Sequence, residues 1–161
     1  MSNNYNPAKI SKNSRYKQGY YQCTNPHKYI GDPKKIIYRS SWELKICQKL
    51  DHADYVVGWA CEAPYPVLYL SPRDGLPHRY YPDFIVVTFD KINNKKVVTL
   101  IEVKPYKEKF PPSKKGKKKS RYIQECMTYS INQAKWEAAR KFCEQKGWQF
   151  SIMTEKEILG K

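Results

Sequence analysis

The sequence has no apolar run approaching the roughly 18 residues of a membrane-spanning helix, and no signal peptide opens it. Its three histidines, His27, His52 and His78, are scattered without ligand spacing. None of the five cysteines (Cys23, Cys47, Cys61, Cys126 and Cys143) forms a C-x-x-C pair. An odd, unclustered set argues for free thiols in a reducing compartment, and against a disulfide framework or a zinc site. Acidic residues are scarce, with Asp and Glu totalling 15 against 30 Lys and Arg. No internal repeat is present.

Within 161 residues, 40% are hydrophobic and 14% aromatic, including 14 tyrosines. This suits one domain with a real core and an amphipathic, tyrosine-rich surface. The net charge of +15 calls for a polyanionic partner. Nucleic acid leads, with an acidic membrane surface as the competitor.

Residues 1–30 show little periodicity and read as a basic N-terminal arm or loosely packed tail. Lys9, Lys12, Arg15, Lys17 and Lys28 there either touch DNA phosphates or a protein partner, or are simply solvated. Residues 31–161 read as a single domain. Gly31 to Lys35 is a turn, and Trp42, Ile46, Cys47 and Leu50 then follow helical spacing. Ser40 with Glu43 three residues later matches a capping box, so the pattern favours a capping role for Glu43 over a place in a cleft. Residues 55–61 and 65–70 read as strands, with Pro66 marking an edge or bulge and Glu62 a turn acid between them. Residues 107–121 read as a mobile lysine-rich loop. Its Lys114, Lys115, Lys117, Lys118, Lys119 and Arg121 either lie along a phosphate backbone or form a solvated surface. Residues 122–146 read as a helix, broken near 130–132, with Trp136, Ala139, Phe142 and Cys143 as its buried stripe and Gly147 as its C-cap. Asn132 and Lys135 stand one turn apart, either exposed or touching the scissile phosphate. A last strand over 148–153 and a capping box from Thr154 to Glu157 complete the chain.

Two stretches carry the chemistry. Residues 79–87 and 96–104 read as strands joined by an Asn93-Asn94 turn, most simply as an antiparallel hairpin. Glu102 and Lys104, two apart, share one face, while Ile101 and Val103 share the other. The hairpin can bring Asp83 beside Glu102. Two carboxylates suit a hard cation such as Mg²⁺. The cation would stabilise charge building on a phosphate, and the lysine would orient or deprotonate an attacking water. An alternating acid and lysine on an ordinary solvated strand face is the plain alternative.

Six ordered blocks resemble the PD-(D/E)xK nuclease superfamily, and within it the head-completion nucleases of large tailed phages. They are Gly31-Asp32-Pro33-Lys34-Lys35-Ile36; Tyr38-Arg39-Ser40-x-Trp42-Glu43; Arg79-Tyr80-x-x-Asp83; Ile101-Glu102-Val103-Lys104-Pro105; Tyr129-Ser130-x-Asn132-x-x-Lys135-Trp136-x-Ala138-Ala139; and Thr154-Glu155. The resemblance covers about residues 31–155. It implies an α/β (α+β) core, with a mixed sheet of about four to five strands flanked by helices. Asp83 and Glu102 would be metal ligands for Mg²⁺, with Mn²⁺ able to substitute, and Lys104 the catalytic lysine. Glu43 would be a further acid beside the metal, which shifts its reading from cap to site. Arg39 and Arg79 join the basic residues as candidate DNA contacts.

The function so implied is a DNA endonuclease or exonuclease in late phage assembly in the host cytoplasm, trimming packaged DNA so that a filled head can join a tail. Its partners would be double-stranded DNA and the portal or neck proteins, with no membrane and no small-molecule cofactor. A non-catalytic DNA-gripping neck protein and a transposon-end or junction-resolving endonuclease are the other readings. An RNA-binding module has no aromatic recognition signature to support it.

Overall fold

Phe84, Val86 and Ile101 alternate in sequence with Ile85 and Leu100, and all five are buried. A sheet apolar on both faces must be covered on both sides, and two helices do this. The structure, a computed structural model, describes Ile10 and residues 15–160. Strands β1 (Gly19–Tyr20) and β2 (Ile37–Tyr38) pair antiparallel, with a 3-10 turn at Pro26–Lys28 between them. Helix α1 (Ser41–His52) follows, then β3 (Val56–Cys61), β4 (Val67–Leu70), β5 (Pro77–Tyr80), β6 (Phe84–Asp90) and β7 (Lys95–Val103). A 3-10 turn at Tyr106–Lys109 leads to the long helix α2 (Lys119–Lys146), β8 (Gln149–Met153) and α3 (Glu155–Leu159).

The main sheet has four strands in the order β3-β6-β7-β8, antiparallel except for the parallel pair β7-β8. This is the mixed α+β core expected from the sequence. One face packs Trp59, Phe84, Val86 and Ile101 against Ile46, Cys47 and Leu50 of α1. The other packs Ala60, Ile85 and Leu100 against Ala139 and Cys143 of α2. Val56 and Trp59, three apart, share the α1 face because the register shifts between Val56 and Gly58; a bulge reverses the alternation.

Three expectations are corrected. Residues 79–87 do not form one strand. Tyr81, Pro82 and Asp83 separate β5, which pairs only with β4, from β6 in the main sheet. Pro82 has no N–H for a ladder, and Ala63 and Glu62 donate their N–H groups to the carbonyls of Pro82 and Asp83 (2.9 and 2.7 Å). Second, α2 begins at Lys119 and runs unbroken to Lys146. Lys119 and Arg121 are therefore helical, and residues 106–109 form a 3-10 turn, so the loop over 107–121 is shorter than expected. The Ser130 hydroxyl donates to the Cys126 carbonyl at 3.0 Å, a local bond that satisfies the residue without ending the helix.

Third, the first thirty residues are packed from Gly19 onward. Tyr21 is 9% exposed, and it and Tyr29 stack edge-on against Trp59, at 6.0 and 4.9 Å between ring centroids. The fully buried Asp51, near the end of α1, gathers four donors: the Tyr21 hydroxyl (2.8 Å), the Cys23 thiol (3.3 Å) and the N–H groups of Thr24 and Asn25 (2.7 and 2.9 Å). Burial alone would raise its pKa, but these bonds outweigh burial and hold it down at about 2. Lys28, a candidate phosphate contact, instead donates to the carbonyls of Asp51 and Ala53 (3.2 and 2.9 Å) at the end of α1. Arg15 and Lys17 are exposed, whereas Lys9 and Lys12 lie outside the described residues.

Candidate active site

The break at Tyr81-Pro82-Asp83 and the end of β7 meet at one edge of the sheet. Phe84 opposes Ile101 in the β6-β7 ladder. Asp83, the residue just before β6, lies beside Glu102 at the end of this ladder, and the charges of the two carboxyls act on each other. Asp83 accepts the Val103 N–H at 2.7 Å. Glu102 is 5% exposed. One of its oxygens accepts the Tyr80 hydroxyl at 2.6 Å, and the other lies 3.2 Å from the Lys104 ammonium. Glu102 and Lys104 thus share a face, as their spacing requires.

Burial, followed by the charge of Glu102, pushes the Asp83 carboxyl up to about 8, against the lowering effect of the Val103 N–H. Burial would lower the Lys104 pKa, but the charges of Glu102 and Asp83 outweigh it and raise it, so Lys104 is an ammonium at neutral pH. Burial and the Glu102 charge likewise raise the Tyr80 phenol, which stays a donor.

Lys135 approaches from α2, with its nitrogen 5.5 Å from the Tyr80 ring centre and 5.7 Å from that of Tyr69. Burial, with the charge of Lys104, lowers its pKa by more than the nearby charges of Glu102 and Asp83 raise it. Asn132, one turn earlier, is buried at 8% exposure. The reading of these two as merely exposed is therefore set aside.

Glu43 occupies the first turn of α1 and serves as a cap: it accepts the Arg39 N–H at 2.8 Å and the Ser40 hydroxyl at 3.3 Å. Ser40 in return accepts the Glu43 N–H at 3.1 Å. Burial raises the Glu43 carboxyl, and its charge and that of Glu102 act on each other, so the capping acid also borders the site. Among the described residues, however, no group of three or more His, Cys, Asp and Glu side chains is gathered tightly enough to cage a metal ion. Asp83 and Glu102 are the pair that fits one. Glu102 is buried and Asp83 half-buried, they lie side by side with their charges acting on each other, and a lysine ammonium is drawn against Glu102. Two carboxylates plus water and phosphate oxygens suffice for Mg²⁺, which seldom takes an all-protein cage.

Two residues matter here that their sequence surroundings did not reveal. Tyr80 orients Glu102, and its sequence signal was only its place in the block Arg79-Tyr80-x-x-Asp83. Glu62, read as a turn acid, has a positive φ of 49°. It accepts Nε and Nη2 of Arg39, both at 2.8 Å, on one oxygen, while its N–H holds the Asp83 carbonyl. Arg39, a candidate DNA contact, is thus paired with Glu62. Arg79 lies exposed on β5 opposite Leu68. Lys114, Lys115, Lys118 and Lys119 are exposed. Lys117 and Arg121 both bind Glu125, Arg121 at 3.1 Å. The five cysteines are free, although the sulfurs of Cys47 and Cys61 stand 3.4 Å apart.

A mixed sheet with Pro-Asp at a strand entrance and Glu-x-Lys at the neighbouring strand's end defines a PD-(D/E)xK-type nuclease core. Residues 53–155 match the family model described as "TnsA-like endonuclease N terminal", and the chain belongs to that family. Asp83, Glu102, Lys104, Asn132 and Lys135 lie inside the match, and Arg39 and Glu43 before it. Within this class the chain is similar to the "Head completion nuclease" of Enterobacteria phage T4, with 36% identity over 141 residues, covering 85% of this chain and 90% of that protein.

Proposed function

We propose that this protein is a divalent-metal-dependent DNA nuclease that acts in phage head completion and head–tail joining, trimming packaged DNA. The observation that carries the reading is that Asp83 lies beside Glu102, close enough for their charges to act on each other, with Lys104 on Glu102 at 3.2 Å, in a chain of net charge +15. The similarity to the T4 protein over most of both chains favours head completion over transposon-end cleavage. On this reading the protein works on double-stranded DNA in the host cytoplasm, beside the portal and neck proteins.

Asp83 and Glu102 would hold Mg²⁺, with Mn²⁺ able to substitute. Once bound, the ion supplies charge stabilisation on the phosphate and a more acidic water. The protein's own groups do the rest. Val103 N–H and the Tyr80 hydroxyl fix the two carboxylates, so little reorganisation is left for the reaction. Lys104, held as an ammonium, is suited to orienting the attacking water and the phosphate, and not to removing a proton. Lys135 offers a second cation to the phosphate from across the site. Glu43, anchored by the Arg39 N–H, would add negative charge beside the pair that holds the cation. Arg79 and the lysines of 114–119 would hold the DNA backbone alongside.

The test is cleavage of linear, circular and branched DNA with Mg²⁺ or with EDTA. The parent should cut only with the metal, and Asp83→Ala and Lys104→Ala should each lose at least 100-fold in rate. Variants that cut as fast as the parent would refute the assignment.

A further inference from the structure

The segment after Lys104 does more than carry lysines. The 3-10 turn and the loop over 110–118 fold back over the first three turns of α2 and enclose a cleft of about 640 Å³. From Arg121 to Asn132 its helical wall spans twelve residues, about 16 Å at helical rise. Phe110, Pro111 and Pro112 form the opposite wall, and Tyr129 faces them from α2. Phe110 is half exposed, and its ring is braced edge-on by Tyr106 at 5.2 Å. Lys107, Lys117 and Arg121 line the same space. Glu125 holds the last two in place through ion pairs. One end of the cleft borders the active site. Asn132 is one turn from Lys135, and Glu108, which also lines the cleft, acts by its charge on Lys104.

A space of this size lies within the range that encloses small ligands and excludes a double helix. Aromatic faces between cations are the chemistry that binds unpaired nucleotides, through stacking and phosphate contacts without base-specific readout. We propose that this cleft is a single-strand subsite that receives two or three unpaired nucleotides continuous with the scissile phosphate. This rests on the nuclease reading and deepens it. The preferred substrate is then DNA with a frayed or single-stranded end or branch, and the uninterrupted duplex is disfavoured.

The experiment reads binding by fluorescence anisotropy in EDTA, with the full chain and two labelled probes. One is a DNA hairpin with a blunt end; the other is the same hairpin carrying a six-nucleotide thymidine overhang, in either polarity. The parent should bind one overhang probe at least tenfold more tightly than the blunt one. Phe110→Ala with Tyr129→Ala should remove that difference and leave blunt binding within twofold, while Phe110→Trp should retain it. Equal binding of both probes by the parent, or equal weakening of both in the double variant, would overturn the proposal. Binding is read without metal, so it stands apart from cleavage. A parent that favours the overhang but cuts neither probe in Mg²⁺ supports the subsite and refutes the nuclease.

Discussion

Replacing Asp51 by Asn tests how the first described segment is tied to the domain. In the parent, one fully buried carboxylate accepts four hydrogen bonds from Tyr21, Cys23, Thr24 and Asn25. An amide has the same shape but turns an NH₂ group toward donors. The Tyr21 hydroxyl can rotate to accept from it, whereas a backbone N–H cannot. Leaving one buried donor unpaired and losing the charge on the others should cost about 2–4 kcal/mol at pH 7. The pH dependence follows from the depressed carboxyl, about 2 against an ordinary value of 3.8. A depressed acid contributes stability fully present above its unfolded value and lost as pH falls through the folded one. The span is worth about 2.5 kcal/mol. Urea melts of parent and Asp51→Asn should therefore differ by a constant amount from pH 7 to pH 5, and that gap should narrow by about 1.5 kcal/mol by pH 2.5. Taking the difference cancels the other carboxyls. A gap under about 0.5 kcal/mol at pH 7, or one that does not narrow in acid, would refute the clamp and return the segment to the status of a tail.

Other consequences lie nearer the site. Tyr80→Phe removes the donor that holds Glu102, and the Mg²⁺ concentration giving half-maximal cleavage should rise by about tenfold or more; an unchanged metal dependence would remove Tyr80 from the site's support. Lys135→Met keeps the packing on Tyr69 and Tyr80 but loses the cation, so cleavage should slow by about 10–100-fold with little change in melting temperature; a rate within twofold of the parent would count against a phosphate contact. Changing Lys114, Lys115, Lys118 and Lys119 together to Gln should flatten the slope of log affinity against log salt by up to about 0.9 per lysine; an unchanged slope would make them solvated surface.

Local chemistry made much of this legible. The β6-β7 hairpin, the face shared by Glu102 and Lys104, the Ser40 cap and the Gly147 stop are each set within a few residues. The sequence pattern sets cap against site for Glu43. The half-buried first turn of α1 lets it cap while its charge still reaches Glu102. What sequence missed was made at a distance. The Asp51 clamp joins positions 26 to 30 residues apart. The Tyr80 bond to Glu102 spans 22. The Arg39–Glu62 pair depends on a left-handed residue that no composition signals. Pro82 was visible, but β-rich neighbours on both sides concealed that it ends one sheet and admits the chain to another.

The most direct test of the central claim is titration of Mn²⁺, followed by its electron paramagnetic resonance signal, into the DNA-bound parent and into the equally DNA-bound Asp83→Asn and Glu102→Gln variants. The account predicts at least one tightly held ion per parent chain and its loss in both variants. Equal Mn²⁺ uptake by all three proteins would contradict it.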